Sequence, residues 1–132
     1  MPTNLALNQT ATASSTRSGT SYTAAKAVDG SASTSWMSST TSGAQWVRVD
    51  LGASYTISNV KVVWPATYYA KAFQIQTSND GTNFTSRYST SSGAGGTTTA
   101  TFTAVSARYV RVYCTTRNNS SYYGVSELEV YP

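Results

Sequence analysis

Apolar and polar residues alternate with a period of two over much of this chain. Between positions 45 and 51, for example, Val47, Val49 and Leu51 share one face. Strand-like segments occur at 45–51, 58–64, 73–78, 83–88, 97–103, 108–115 and 125–131. No stretch of ten or more residues keeps apolar spacing near 3.6, so little helix is expected. About eight short strands separated by Gly, Asn and Ser predict an all-β, antiparallel sandwich.

Turn and core signals add detail to this sandwich. Asn79-Asp80-Gly81 predicts the turn of a hairpin between two strands. The low-complexity segment 89–99 is interpreted as a mobile loop without a structural role. The first and last strands are expected to lie side by side, because the termini of a domain are often close. Three tryptophans are interpreted as core anchors: Trp36, Trp46 and Trp64.

Length and composition fit one domain over residues 1–132. Only 11% of residues are charged, against roughly 25% in an average soluble domain. Ser, Thr, Gly, Asn and Tyr take their place, as expected for a short-looped β protein outside the cell. The net charge is +4, but the nine Lys and Arg residues are scattered singly along the sequence. Nucleic-acid binding is therefore not expected, since it needs clustered cations.

Cys114 is the only cysteine, so the chain cannot form an internal disulfide. It lies in phase with Val110 and Val112, which predicts a buried thiol. No apolar run is long enough to span a membrane, and no signal peptide is visible. We therefore expect a monomeric module taken from a longer secreted protein.

Short motifs along the whole chain resemble discoidin domains, also called coagulation factor 5/8 C-type domains. The opening motifs are Asn4-Leu5-Ala6, Ala13-Ser14-Ser15, Ala27-Val28-Asp29-Gly30 and Thr34-Ser35-Trp36. The later ones are Trp46 to Gly52, Ser78-Asn79-Asp80-Gly81, Arg108 to Val112 and Ser126 to Tyr131. The lack of the disulfide found in animal members points to the bacterial branch, carbohydrate-binding module family 32. The resemblance implies a discoidin-like jelly roll that targets an attached secreted enzyme to a polysaccharide.

Catalysis is not expected of this module. The chain has no His, which removes most triads and general bases. Glu127 and Glu129 stand two residues apart on one strand, with Cα atoms roughly 6.5–7 Å apart. Paired carboxylates at such separations serve glycosidases. Here both extend from the same strand, and no opposing wall exists between which a sugar could lie.

A calcium site is implied by the resemblance, in the loop that begins at Asp29-Gly30. The side chains would be those of Asp29, Thr34 and Glu127, with Ala32 and neighbouring residues supplying backbone carbonyls. Calcium takes six to eight oxygen ligands, and neither His nor a nearby Cys favours zinc or copper. The alternative is a hydrogen-bonded Asp-Gly turn with a solvated Glu127.

The resemblance places a glycan site on loops at one end of the sandwich, among 15–22, 37–43, 65–71 and 116–124. A sugar site pairs an aromatic platform with planar hydrogen-bonding groups. Nine loop residues offer this chemistry: Arg17, Tyr68, Tyr69, Lys71, Arg117, Asn118, Asn119, Tyr122 and Tyr123. Tyr122 or Tyr123 is the favoured stacking ring. The alternative for each tyrosine is packing.

The choice of sugar rests on charge. Galactose-binding relatives carry a loop His, which is missing here. Chitosan is disfavoured because the candidate loops hold no acidic residue. Arg17, Lys71 and Arg117 favour a carboxylate partner, hence uronic-acid glycans such as alginate or pectin. A neutral galactose- or glucose-type glycan remains an alternative, as do cell-surface adhesion and phospholipid binding. Membrane binding is not expected, because the loops offer Tyr and Met37 rather than Trp, Phe or Leu.

Overall fold

The computed structural model describes residues 3–40, 43–118 and 121–132. Those ranges contain eight strands and one short 3-10 helix, Ala24–Ala27. The strands are β1 (Thr10–Ala13), β2 (Trp36–Met37), β3 (Gln45–Val63), β4 (Ala70–Ser78), β5 (Thr85–Thr90), β6 (Thr97–Arg117), β7 (Gly124–Val125) and β8 (Glu127–Tyr131). The predicted all-β class is confirmed. No helix in the described ranges is long and apolar enough to cross a membrane.

Two long strands form the frame of the sandwich. β3 joins the predicted strands 45–51 and 58–64 without a break, and β6 likewise joins 97–103 and 108–115. The two pair antiparallel along most of their length, with two register shifts, one between Ile57 and Asn59 and a longer one between Asp50 and Tyr55. Gly52 lies in this interval with a φ of +88°, a conformation that a side chain would strain. The irregularity lets each strand bend from one layer into the other.

The two layers share these long strands. Neighbours in the larger sheet follow the order β1-β3-β6-β4-β5, and β8 pairs with the later part of β3. The early part of β3 pairs with β1 instead. A separate pair, β2 and β7, holds the loops at one end. The N-terminal segment contacts the last strand, β8: the N–H of Leu5 donates to the carbonyl of Val130 (2.8 Å). The segment before β1, rather than β1 itself, therefore lies beside the last strand.

Alternation places the core as the sequence predicted. Val47, Val49, Val110 and Val112 face inward and are fully buried. Cys114 follows the same phase, and burial raises the pKa of its thiol, which therefore stays protonated. Trp36 and Trp64 are buried, as expected of core anchors.

Trp46, by contrast, is not a core anchor, and that interpretation was wrong. Its side chain shares the outer face of β3 with Arg48, out of phase with Val47. The guanidinium carbons of Arg48 and Arg111 lie 5.7 and 5.5 Å from its ring centroid. Cation–π contacts therefore hold this indole on the outer surface.

On the same outer face, arginine side chains connect three of the motifs that resemble discoidin domains: 46–52, 78–81 and 108–112. Arg108 donates two hydrogen bonds to the Asp50 carboxylate (2.8 and 3.1 Å), and these hold the pKa of Asp50 below its usual range. Arg48 Nη1 donates to the carbonyl of Gly81 (2.7 Å), at the tip of the predicted β4–β5 hairpin. Scattered arginines thus have structural roles on one sheet face.

Segment 89–99 is more ordered than predicted. β5 extends to Thr90, and β6 begins at Thr97. A Cβ on Gly93 would lie 2.6 Å from the Ala70 carbonyl oxygen, and one on Gly95 would lie 2.7 Å from the Tyr69 ring. These contacts pack the loop closely against its neighbours, so the interpretation of a loop without a structural role was wrong.

Candidate functional site

Four loops meet at the end of the sandwich where β4 begins and β6 ends. We call this end the apical pole and define it by the described residues of loops 15–22, 37–43, 65–71 and 116–124, which leaves out 41–42 and 119–120. Backbone hydrogen bonds connect the loops: Arg17 N–H donates to Met37 O (2.8 Å), Ser38 N–H to Tyr123 O (2.8 Å) and Gly124 N–H to Tyr68 O (2.6 Å). Backbone hydrogen bonds therefore hold the loops of the apical pole in fixed positions relative to one another.

An arginine–tyrosine cluster lies at the centre of this pole. The Arg17 guanidinium carbon is 4.2 Å from the Tyr122 ring centroid and 4.6 Å from that of Tyr22. Tyr122 meets Tyr68 edge to face, with centroids 5.7 Å apart. Arg17 Nη1 also contacts the Met37 sulfur (3.4 Å). Stacking uses the flat faces of a guanidinium, so the N–H groups of Arg17 that do not point at the Met37 sulfur can donate to an anion.

A cleft of about 360 Å³ opens beside this cluster and is lined by Arg17, Ser18, Ser39, Thr40 and Tyr122. We call it the apical cleft. Its wall therefore combines one cation, one aromatic ring and three hydroxyl groups. All five acidic residues of the chain, Asp29, Asp50, Asp80, Glu127 and Glu129, lie outside the four apical loops. The cleft is cationic for that reason.

The predicted site residues divide into groups. Arg17 and Tyr122 line the cleft, and Tyr68 packs against Tyr122 beside it. Tyr123 does not line the cleft, because its ring is only 2% exposed and belongs to the hydrophobic core. The expectation that Tyr123 could stack on a sugar was therefore wrong. Arg117 lies over that buried ring (4.6 Å) and donates to Ser39 O (3.4 Å), so it supports the cleft from behind.

The other predicted residues lie apart from the apical cluster. Tyr69 packs partly buried against the core and contacts the loop at Gly95. Lys71 is exposed, and its carbonyl accepts a hydrogen bond from the N–H of Gly93 (2.7 Å). Asn118 Nδ2 donates to the carbonyl of Thr67 (3.4 Å), which links two loops. Asn119 lies outside the described residues.

Three residues that line the cleft, Ser18, Ser39 and Thr40, were missing from the predicted site, as was Tyr22 of the neighbouring arginine–tyrosine cluster. All of them fall in loops that the sequence had marked, 15–22 and 37–43. Their membership in those loops was the available signal, but single Ser and Thr residues carry no pattern that separates binding from turn formation.

The predicted calcium loop is a compact turn of oxygen-bearing groups. Asp29 accepts hydrogen bonds from the Thr34 hydroxyl (2.5 Å) and the Ser31 N–H (3.0 Å). Burial works against ionisation here, but these bonds and the charge of Lys26 hold the pKa of Asp29 below its ordinary value. Ala32 is exposed on the same loop. The arrangement favours a negative charge on Asp29.

Glu127 closes this turn from the last strand. It is 3% exposed, its Oε2 accepts from the Gly30 N–H (3.1 Å), and within the described residues its buried Oε1 has no hydrogen-bond partner. Burial, with the charges of Asp29 and Glu129, raises its pKa to about 7. Among residues 3–40, 43–118 and 121–132 no group of three His, Cys, Asp or Glu side chains converges. A cation bound here would therefore also need hydroxyl and carbonyl oxygens.

Residues 10–128 match the family model of the F5/8 type C domain. This chain belongs to the F5/8 type C domain family. The eight-strand sandwich and its linked motif strands agree with that membership. No curated protein matches the chain.

Solved structures of F5/8 type C relatives include carbohydrate-binding modules. Chitosan-binding module 1 of a chitosanase/glucanase from Paenibacillus sp. IK-5 is 47% identical, with a TM-score of 0.93 over 98% of this chain and 99% of that one. Module 2 of the same enzyme, in complex with chitotriose, is 43% identical, with a TM-score of 0.93 over 98% and 100%. The family 32 module of AlyQ, in complex with 4,5-unsaturated mannuronic acid, is 25% identical, with a TM-score of 0.77 over 92% and 93%. The predicted relation to family 32 is confirmed.

Proposed function

We propose that this F5/8 type C domain is a non-catalytic carbohydrate-binding module whose apical cleft binds an acidic oligosaccharide of the uronic-acid class, as in alginate or pectin. The observation that supports the proposal is the composition of the cleft: Arg17 beside an aromatic ring, with hydroxyl groups around them and no acidic residue in the four apical loops.

The aromatic and hydroxyl groups suit a pyranose. A sugar ring presents apolar C–H faces and a rim of hydroxyls, so it needs an aromatic platform and hydrogen-bonding neighbours. Tyr122, braced edge-on by Tyr68, supplies the platform. Ser18, Ser39 and Thr40 line the same cleft. Its volume of about 360 Å³ is at the small end of ligand sites, so it fits one or two sugar units.

Arg17 supports the choice of an acidic sugar. Two tyrosine rings within 4.6 Å hold its guanidinium in place, so little rotamer freedom is lost when an anion binds. A guanidinium can donate two parallel hydrogen bonds to one carboxylate. A hydrogen bond to a charged group contributes about 1.5–3 kcal/mol, which corresponds to roughly a tenfold to hundredfold gain in affinity.

Chitosan is the second candidate, favoured by the 43–47% identity to two chitosan-binding modules. Charge argues against it. An ammonium 4 Å from the Arg17 guanidinium would be repelled by about 1 kcal/mol in water and about 4 kcal/mol at an effective dielectric constant of 20. With no carboxylate in the apical loops, nothing there offsets that repulsion.

Calorimetric titration with trigalacturonate, trimannuronate and chitotriose tests the proposal, using the wild type, Arg17→Gln and the matched charge control Lys61→Gln. We expect an acidic trimer to bind best, and Arg17→Gln to weaken it by about tenfold or more. The same substitution should leave chitotriose binding unchanged or improve it, and Lys61→Gln should change neither. Tightest binding of chitotriose, weakened by Arg17→Gln, contradicts the assignment of an acidic sugar.

We further propose that the module is secreted, monomeric and attached to a bacterial polysaccharide-active enzyme. The relatives support attachment, because two of them derive from a chitosanase/glucanase. The low charged fraction fits an extracellular setting. Sedimentation at micromolar concentration should give a mass near 14.0 kDa; a dimer mass contradicts the monomer.

Finally, we propose that calcium binds between the Asp29 loop and β8. Asp29, Thr34 and Glu127 would hold it with side chains, and Ala32 and its neighbours with carbonyls. All of these groups are oxygen ligands, which calcium prefers, and Glu127 Oε1, which has no hydrogen-bond partner within the part of the chain that the structure describes, is available as a ligand atom. When bound, the ion would supply positive charge that pins the first loop to the last strand.

A further inference from the structure

A second cavity lies at the open edge of the sandwich, between β5 and β6. Its volume is about 430 Å³, and we call it the edge groove. Phe73, Tyr88 and Thr90 form one side, Thr98 forms the other, and Ser92 and Ala94 stand at its mouth. The groove shares no lining residue with the apical cleft.

The two sides of the groove differ in chemistry. On one side, the half-buried Tyr88 offers ring surface, and Phe73, itself only 2% exposed, packs against it with the ring centroids 5.9 Å apart and the planes tilted by 37°. On the other side, the Thr98 hydroxyl accepts a hydrogen bond from Trp64 Nε1 (2.9 Å), so its own proton points elsewhere. A pyranose has the same division, with apolar C–H faces and a polar rim.

The wall of the groove is held in place before any ligand arrives. The N–H of Gly93 donates to the carbonyl of Lys71 (2.7 Å), and the carbonyl of Gly96 accepts from the Trp64 N–H (2.8 Å). Close packing of Gly95 on the Tyr69 ring leaves no room for a Cβ. A pre-formed wall loses little entropy on binding.

We propose that the edge groove is a second carbohydrate site, which takes one or two uncharged sugar units. None of the residues that line it is charged, so it offers nothing to a carboxylate or an ammonium group. Because hydroxyl groups dominate its rim, binding buries little apolar surface, and we expect an affinity on the order of 1 mM. A polysaccharide that carries both acidic and uncharged units could contact the cleft and the groove at once, which would raise the overall affinity through effective concentration.

The test is an amide chemical-shift titration of the whole chain with three uncharged trimers: cellotriose, laminaritriose and mannotriose. Two occluding variants complete the design. Ala94→Trp fills the mouth of the groove without touching the core, and Ser91→Trp places the same ring on an exposed neighbour that does not line it. A hydroxyl pair, Thr99→Val at the groove and Thr101→Val beyond it, adds a milder comparison.

We expect at least one trimer to give saturable shifts at Gly93, Gly95 and Thr98 at concentrations up to roughly 20 mM. Ala94→Trp should weaken this binding by at least about tenfold, equal to 1.4 kcal/mol, with Ser91→Trp close to wild type. Shifts confined to the apical loops, equal effects of the two Trp variants, or no shift with any trimer overturn the proposal. Failure of acidic trimers at Arg17 would instead affect only the apical cleft.

Discussion

Replacing Glu127 by Gln should stabilise the metal-free protein and abolish its response to calcium. The carboxyl group is 3% exposed and its pKa is raised from 4.5 to about 7. Each pKa unit is worth 1.36 kcal/mol, so ionising Glu127 in the folded state costs at most about 3 kcal/mol. A neutral amide of the same shape avoids that cost. Its oxygen can still accept from Gly30, and its NH₂ can donate to the nearby Asp29.

The pH dependence follows from the direction of this shift. The folded protein keeps the Glu127 proton up to about pH 7, whereas the unfolded chain releases it near pH 4.5. In this window the unfolded state binds fewer protons, so metal-free wild type loses stability as the pH rises from 4.5 to 7. Glu127→Gln has no such titration. The two proteins should therefore be equally stable near pH 4.5 and differ most above pH 7.

Thermal melts in chelator and in calcium measure both effects. In EDTA at pH 8, Glu127→Gln should melt about 5–10 °C above wild type, given roughly 4 °C per kcal/mol for a chain of this size. Calcium at a hundred times its Kd should add about 2.7 kcal/mol to the wild type and almost nothing to the variant. A variant that melts below wild type in EDTA refutes the account of the buried carboxyl. An unchanged wild-type melt on adding calcium refutes the metal site.

Three other substitutions separate binding from packing. Tyr122→Ala should weaken trigalacturonate binding about tenfold, the value of one stacking contact, with the exposed Tyr55→Ala as control; equal calorimetric affinities of the two variants contradict a stacking role. Tyr123→Ala should cost about 3–5 kcal/mol of stability because it empties a core position, which denaturant unfolding measures; a loss below about 1 kcal/mol would argue against burial. Asp50→Asn should cost only about 1 kcal/mol or less, since its pair with Arg108 is part-exposed; a urea-unfolding loss above about 2 kcal/mol would show that the pair matters more.

The sandwich was predictable because alternation with a period of two reports directly on which side chains face inward. The same rule, applied strictly, places Trp46 outward with Arg48, whereas residue size suggested the core. Cation–π contacts supplied by Arg111 from the neighbouring strand decide the outcome. Which arginine lies opposite which indole depends on strand register, and a single sequence does not contain it.

The apical tyrosines show a similar limit. Two of the four candidate loops, 65–71 and 116–124, carry two consecutive tyrosines each, and adjacent side chains of an extended backbone point to opposite sides. One ring of each pair therefore joins the apical cluster, and the other packs inward. The structure assigns Tyr68 and Tyr122 to the apical cluster, and Tyr69 and Tyr123 to packing. The composition of the loops predicts that each tyrosine pair is near the site, but only the loop conformation determines which tyrosine of the pair faces the apical cluster.

A crystal of the chain soaked in trigalacturonate tests the central claim most directly. We predict a sugar ring against Tyr122 in the apical cleft, with its carboxylate within hydrogen-bonding distance of the Arg17 guanidinium. A cleft that stays empty at saturating trimer while the sugar occupies another surface contradicts the account, as does a bound trimer whose carboxylates all point away from Arg17.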